Sequence, residues 1–286
     1  MTRISVAPGP GRCYLRTQDG HLSVRVLDRD PHGARVGLIA NGALLLSGDH
    51  VRLEVNVADG AWLDVVEATG TVAYRGEQPS SWLVDATVGD GAALSWATLP
   101  FVVSDNATTH RGTRVCLHGT GRALLQEKIV LGRAGQLGGD VTTSWDAVDD
   151  VGPLQVEHLD LSRSARGLPG VLGRLRALDT VTALGWTPQP PEGLSAGRTG
   201  AGETWFPLNR SGSVLRWMGD GLFQDTLGDR TFTAWQTDLL AGYPRRDATP
   251  PSRAVPQPPA PTPISDPVAR VSGDRPTWAA CRQQHR

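Results

Sequence analysis

The chain has 286 residues, 39% of them hydrophobic and 20% charged, with a formal net charge of −1. That is the make-up of a soluble globular protein with room for one large domain or two small ones. A charge so near zero argues against a nucleic-acid binder working by bulk electrostatics. With no run of about 18 uncharged apolar residues, no membrane span is expected.

The N-terminus, MTRISVAPGPGRCYLR, lacks an apolar segment followed by a small-residue cleavage site, so no secretory signal is expected. Cys13, Cys116 and Cys281 are odd in number and far apart. Such a set makes neither a disulfide framework nor a zinc site, and it fits a reducing cytosol. Cys116, within RVCLHG, reads as a small buried apolar group. Lys128 is the single lysine among 28 basic residues, a coding bias rather than chemistry.

In chain order, residues 1–20 form an N-terminal segment. From His21 to Leu161, short strands follow one another, among them HLSVRVLD, VRLEVNV, AWLDVVEA, SWLVDATV, ALSWATLPFVV, TRVCLHG, ALLQEKIVLG, DVTTSWDAV and LQVEHLDLS. In VRLEVNV the residues Val51, Leu53, Val55 and Val57 alternate with Arg52, Glu54 and Asn56, the period of a half-buried strand. Asp59-Gly60 then reads as a hairpin turn into Ala61–Val66. Gly-rich punctuation recurs at about 10–15 residues, an all-β pattern of sandwich or stacked solenoid.

Two helices are expected in the C-terminal half. VLGRLRALDTVTAL, from Val171 to Leu184, offers an apolar stripe bounded by Pro169-Gly170 and Gly185. The second runs from about Gly219 to Ala241, with Phe232, Trp235 and Leu239 on one side and Gly242 and Pro244 at its end. Residues 188–202 read as loop, and TWFPLN and SVLRWMG as two more strands. The main domain thus spans residues 21–243. Residues 244–286 hold ten of the 21 prolines and seven arginines, a Pro/Arg-rich composition expected to be disordered.

No catalytic motif is present: no GxSxG, no HExxH, no GxxxxGK[ST]. GTGRALLQE, from Gly119, lies between strands and reads as a hairpin turn. His158 and Asp160 would share one face of a strand, with Glu157 on the other, giving at most an open two-ligand site. Asp146, Asp149 and Asp150 read as a solvated turn. The nine tryptophans fit core or interface packing better than a sugar-stacking face. A β-rich carbohydrate-binding module is the alternative reading. A β-solenoid lyase or hydrolase ranks last, because the carboxylates are scattered.

Three blocks in order carry a resemblance: Leu44 to Arg75, including Gly48, Asp49 and Tyr74; Pro100-Phe101 followed by Arg111 to Leu117 and ALLQEKIVLGR, with Glu127, Gly132 and Arg133; and RWMGDGLFQDTLGDRTFTAW, with Arg216 and Gly219. Over about Leu22 to Leu240 the chain resembles the urease accessory protein UreD (UreH) family. It departs from the family pattern in lacking a lysine before Tyr74, and in carrying Gln126 where an aromatic residue is common. The resemblance implies a mostly β, solenoid-like scaffold with two helices, cytoplasmic and without enzymatic activity of its own. It implies a chaperone for nickel insertion, with UreF-like and UreG-like accessory proteins and urease apoprotein as partners. No cofactor would be held tightly, and nickel would be in transit. Glu67, Glu157, His158 and Asp160 are the candidates for a nickel path. The matched residues also fit structural roles: Asp49 could stabilise its own turn, and Arg133 could pair with Glu127.

Overall fold

The computed structural model describes residues 1–168, 170–191, 203–221 and 227–243. They belong to one unit, Met1–Tyr243. The expected disordered tail lies outside the described residues, as does most of the loop expected over 188–202.

The architecture is a β-solenoid. One face is a seven-stranded sheet built from β1 (Thr2–Ala7), β2 (Tyr14–Gln18), β5 (His50–Val57), β8 (Ser80–Val88), β11 (Thr108–Leu117), β13 (Asp140–Val148) and β14 (Pro153–Asp160), in the order β14-β13-β11-β8-β5-β1-β2. The opposite face is a ten-stranded sheet. Its main path comprises β3 (Leu22–Arg29), β4 (Gly33–Ala40), β6 (Trp62–Glu67), β9 (Ala93–Ala97), β12 (Arg122–Leu131), β15 (Ala177–Leu184), β16 (Glu203–Pro207) and β17 (Gly212–Gly219), in the order β16-β17-β15-β12-β9-β6-β4-β3. Short β7 (Thr71–Ala73) and β10 (Phe101–Val103) close a third side, with β10 parallel to both β7 and β12.

Successive coils stack in parallel, so inward side chains form ladders. Leu53, Val84, Thr113 and Trp145 lie in register across the first sheet, and Val65, Trp96 and Leu125 across the second. Alternation along each strand sends these residues inward and their neighbours out. Residues 1–20 take part in the first sheet, because β1 runs parallel to β5 and pairs with β2.

This corrects two expected hairpins. Asp59-Gly60 and the Gly119–Gly121 segment are corners that carry the chain from one sheet to the other. Asp59 accepts the N–H of Asp90 at 2.9 Å. Asp90 in turn accepts the N–H and hydroxyl of Thr120 at 2.7 and 2.8 Å. The bonds that fix each corner therefore come from the next coil. Gly60 and Gly91 have φ of +68° and +61°. Corner and hairpin alike need this left-handed backbone, so the same Asp-Gly signal serves both.

One helix is found among the described residues, where two were expected. Val171–Leu184 is not helical: Gly170 and Gly173 adopt left-handed φ, and Ala177–Leu184 is a strand clamped antiparallel between β12 and β17. Nearly every residue of that strand is buried, which erases the two-residue period and lets its apolar run pass for a helical stripe. The other helix, α1 (Leu227–Leu240), starts later than expected: Asp220 and Gly221, which follow the strand Gly212–Gly219, are not helical. Its Phe232, Trp235, Leu239 and Leu240 cover the outer face of the second sheet, against Trp62, Leu124, Val181, Trp186 and Trp205.

Cys13 is buried and free, its Sγ 3.1 Å from the Gly33 carbonyl. Cys116 is buried and disulfide-bonded, against the expectation of no disulfide. No helix among the described residues is long and apolar enough to cross a membrane.

Candidate functional site

A stacked solenoid favours apolar inward ladders, and the N-terminal coils follow that rule with Val51, Leu53, Val55 and Val57 facing in. Farther along, the same inward positions carry charge. Arg111 and Thr113 point inward from β11, Glu127 from β12, Glu157 from β14, Thr180 from β15 and Arg216 from β17.

Arg111 sits deepest, its side chain 4% exposed. Its Nε donates to Glu127 Oε1 at 3.1 Å. Its guanidinium carbon lies 5.2 Å from the Phe101 ring centre and 5.8 Å from that of Trp82. Those two rings meet edge to face at 6.4 Å. Thr113 donates its hydroxyl to the same Glu127 oxygen at 2.7 Å. A charge this far from water persists only when paired and bonded, and the carboxylate and two ring faces supply that compensation.

Glu157 and Arg216 form a fork-to-fork pair at 2.8 and 2.6 Å, with Arg216 Nε 3.3 Å from the Thr180 hydroxyl. Glu127, Gln155, Glu157, Thr180 and Arg216 line a small cavity. A second small cavity is bounded by Leu22, Leu38, Glu67, Thr69, Thr71 and Trp82. There Glu67 Oε2 accepts the N–H of Leu99 at 3.0 Å, and the buried Oε1 has the Trp96 indole as the side-chain donor that acts on this carboxyl. Burial pushes this carboxyl up to about 7, and the Arg111 charge and the Leu99 N–H oppose the rise only in part. Trp82 borders the Glu67 cavity and also flanks Arg111, and Glu127 borders the other. A polar seam therefore runs through the core from Arg111 and Glu127 to Glu157 and Arg216, with Glu67 across Trp82 from it in the other cavity.

The four nickel-path candidates do not gather in one place. Glu67 and Glu157 face the interior. His158 and Asp160 are exposed on the outer face of β14, where Asp160 accepts the N–H of Ser162 at 2.9 Å. Strand alternation imposes this division. Among the described residues no three of His, Cys, Asp and Glu stand where they could hold a metal ion together.

The remaining matched positions lie at corners and close approaches. Gly48 has φ of +74°, and Asp49 accepts the N–H of Leu46 at 2.9 Å. The Pro100 carbonyl accepts the N–H of Thr71 at 3.1 Å. Gly132 has φ of +80°, where a side chain would press on Gly138 and Arg176. Arg133 does not pair with Glu127: its guanidinium lies over the Tyr74 ring at 5.0 Å, and Arg111 takes the carboxylate. Arg111 is thus the site residue that the sequence reading missed. Its signal was parity, since it shares the inward phase of Thr113 and Val115. Asp149 pairs with Arg210 at 2.8 and 2.9 Å, so the acidic turn is partly a fastening. Trp62, Trp82, Trp96, Trp145, Trp186, Trp205 and Trp235 are buried, which removes them as a sugar-stacking face.

Fold and interior together define a β-solenoid whose core carries paired charges instead of a purely apolar fill. The chain belongs to the UreD family: the family model described as UreD urease accessory protein matches residues 2–239. Among curated relatives, the urease accessory protein UreD 1 of Streptomyces griseus is 44% identical over 160 residues, covering 55% of this chain and 62% of the relative. UreD 2 of Saccharopolyspora erythraea is 32% identical over 167 residues, covering 57% and 59%. UreD of Frankia alni is 32% identical over 208 residues, covering 65% and 68%. The chain thus spans about three-fifths of the length of the first two of these relatives.

Proposed function

We propose that this protein is a cytoplasmic scaffold for urease maturation. It holds urease apoprotein together with UreF-like and UreG-like accessory proteins while nickel is delivered, and it performs no bond-making chemistry itself. Family membership supports the role in maturation. The observation that carries the nickel part is the polar seam and the cavity beside it, in which three interior carboxylates, Glu67, Glu127 and Glu157, line a core that packing alone would fill with apolar groups. Oxygen donors of this kind accept a divalent cation without trapping it, as a passing ion requires. The outward His158 and Asp160 are open to solvent and suit, at most, a transient contact at the surface.

The experiment is a strain lacking the gene, with urease purified and its nickel content measured. The reading expects urease made in normal amount but poor in nickel, restored when the gene is returned. Fully loaded, active urease in its absence would overturn it.

A further inference from the structure

Where β12 returns to β13, the loop 132–139 is held by three guanidiniums. Arg163 Nε donates to the Gly138 carbonyl at 2.8 Å. Arg166 Nη2 donates to the same oxygen at 3.2 Å and to the Leu137 carbonyl at 3.0 Å. Arg176 Nη2 donates to the carbonyls of Leu131 and Arg133 at 2.7 and 3.2 Å. A Cβ on Gly132 would stand 2.7 Å from the Gly138 nitrogen and 2.8 Å from Arg176 Nη2, so the three charges converge on one loop. Arg133 belongs to that loop and lies over Tyr74.

Two carboxylates are bonded into this cluster. Asp105 accepts Arg163 Nη2 at 3.0 Å, and Asp140 accepts the Arg163 backbone N–H at 2.7 Å. Arg133, Arg166 and Arg176 form no ion pair among the described residues. Burial, and then the charges of Arg163 and Arg176, lower the pKa of Arg166, as happens when like charges are held together. Fastening carbonyls does not require charge, since a neutral amide also donates. The opposite corners of the coils carry Asp59, Asp90 and Asp150 instead, so the positive charge is concentrated on one edge of a chain whose net charge is −1. Beside it stand Leu137 and Leu168, 72% and 55% exposed. Arg166 links them, with Nη2 on the Leu137 carbonyl and Leu168 two residues farther along its own turn.

We propose that this edge is the docking surface for an acidic segment of a partner protein, whose carboxylates meet Arg133, Arg163, Arg166 and Arg176 while an apolar side chain settles against Leu137 and Leu168. This rests on the reading of the chain as a scaffold, and not on the ion route. Charge complementarity selects the occupant. Among the described residues Arg163 Nη1, Arg166 Nε and Arg176 Nη1 have no protein acceptor, and carboxylates match such donors in pairs. A nucleic acid would use the arginines and leave both leucines bare. Arginine beside exposed apolar groups is instead the make-up of a protein interface.

The test uses the full-length chain and a fluorescent peptide of glutamates flanking two leucines, with binding read by anisotropy. The comparison probes are the same peptide with serine for leucine, its lysine counterpart, single-stranded DNA and phosphatidylglycerol vesicles. The glutamate–leucine peptide should bind most tightly. Leu137→Ser combined with Leu168→Ser should weaken it about 10-fold, the loss expected from two partly covered leucines, with unfolding unchanged because both side chains are exposed. Raising the salt from about 0.1 M to about 1 M should also weaken it about 10-fold, as screening requires. Arg163→Gln keeps a donor for Gly138 and should weaken binding too; if that variant does not fold, the leucine pair decides. Absence of peptide binding overturns the proposal. So does binding that ignores the leucine changes, or tighter binding of DNA or vesicles, since either would make the edge a bare anion site. Urease is absent from this experiment. Failure here therefore leaves the maturation role standing, and an active, fully loaded urease in the deletion strain would remove that role without touching this result.

Discussion

Arg111 and Glu127 meet inside the solenoid at 3.1 Å, with the arginine side chain 4% exposed and bracketed by Phe101 and Trp82. They lie on different sheets, the arginine on β11 and the glutamate on β12, so the pair ties the two faces across the core.

Breaking that pair from one side should be expensive. Glu127→Gln leaves a buried guanidinium with a neutral partner, and the expected loss is about 3–5 kcal/mol of folding stability. Arg111→Met combined with Glu127→Gln removes both charges and should recover much of it. Urea unfolding of the three chains measures this. A single variant as stable as the original would mean that the pair does not hold the fold.

Glu67 makes stability depend on pH. Its carboxyl titrates near 7 in the folded protein against an ordinary 4.5. The neutral form is the one the fold prefers, with Arg111 and Glu127 as the charged groups facing it. Its contribution is therefore complete below about pH 4.5 and is lost as the pH rises through 7. Glu67→Gln should be more stable than the original at pH 8, by on the order of 1–3 kcal/mol, with the advantage shrinking toward pH 5. Unfolding midpoints across that range check it, and a constant offset would contradict it.

Much of the fold could be read from the chain, because strand alternation and Asp-Gly corners are local. VRLEVNV became β5 with its inward and outward residues as expected. What stayed hidden was set by partners a coil away. Asp59 looks like a hairpin residue until Asp90 donates to it from the next coil. Ala177–Leu184 looks helical because burial on both faces removes its alternation. The site was half legible for the same reason. Glu157 could be separated from His158 and Asp160 by parity, whereas the partnership of Arg111 with Glu127 depends on two sheets closing over one another.

The helix α1 should prove essential cover for the second sheet. Trp235 is 3% exposed, and its indole N–H donates to the Gln189 carbonyl at 2.9 Å. Trp235→Ala should cost about 3–5 kcal/mol, from the emptied volume and the lost hydrogen bond. It should also bare the apolar face around Trp62, read as dye binding by the otherwise folded chain. Unchanged stability would show that the helix is dispensable.

The most direct measurement of the central idea is nickel per active site in urease from deletion strains that carry the original gene, Glu67→Gln or Glu127→Gln, each variant first shown to accumulate and fold. If the seam and the cavity beside it conduct the ion, urease from both variant strains is short of nickel while the scaffold is present at its normal level. Full nickel loading with both variants would contradict an interior route.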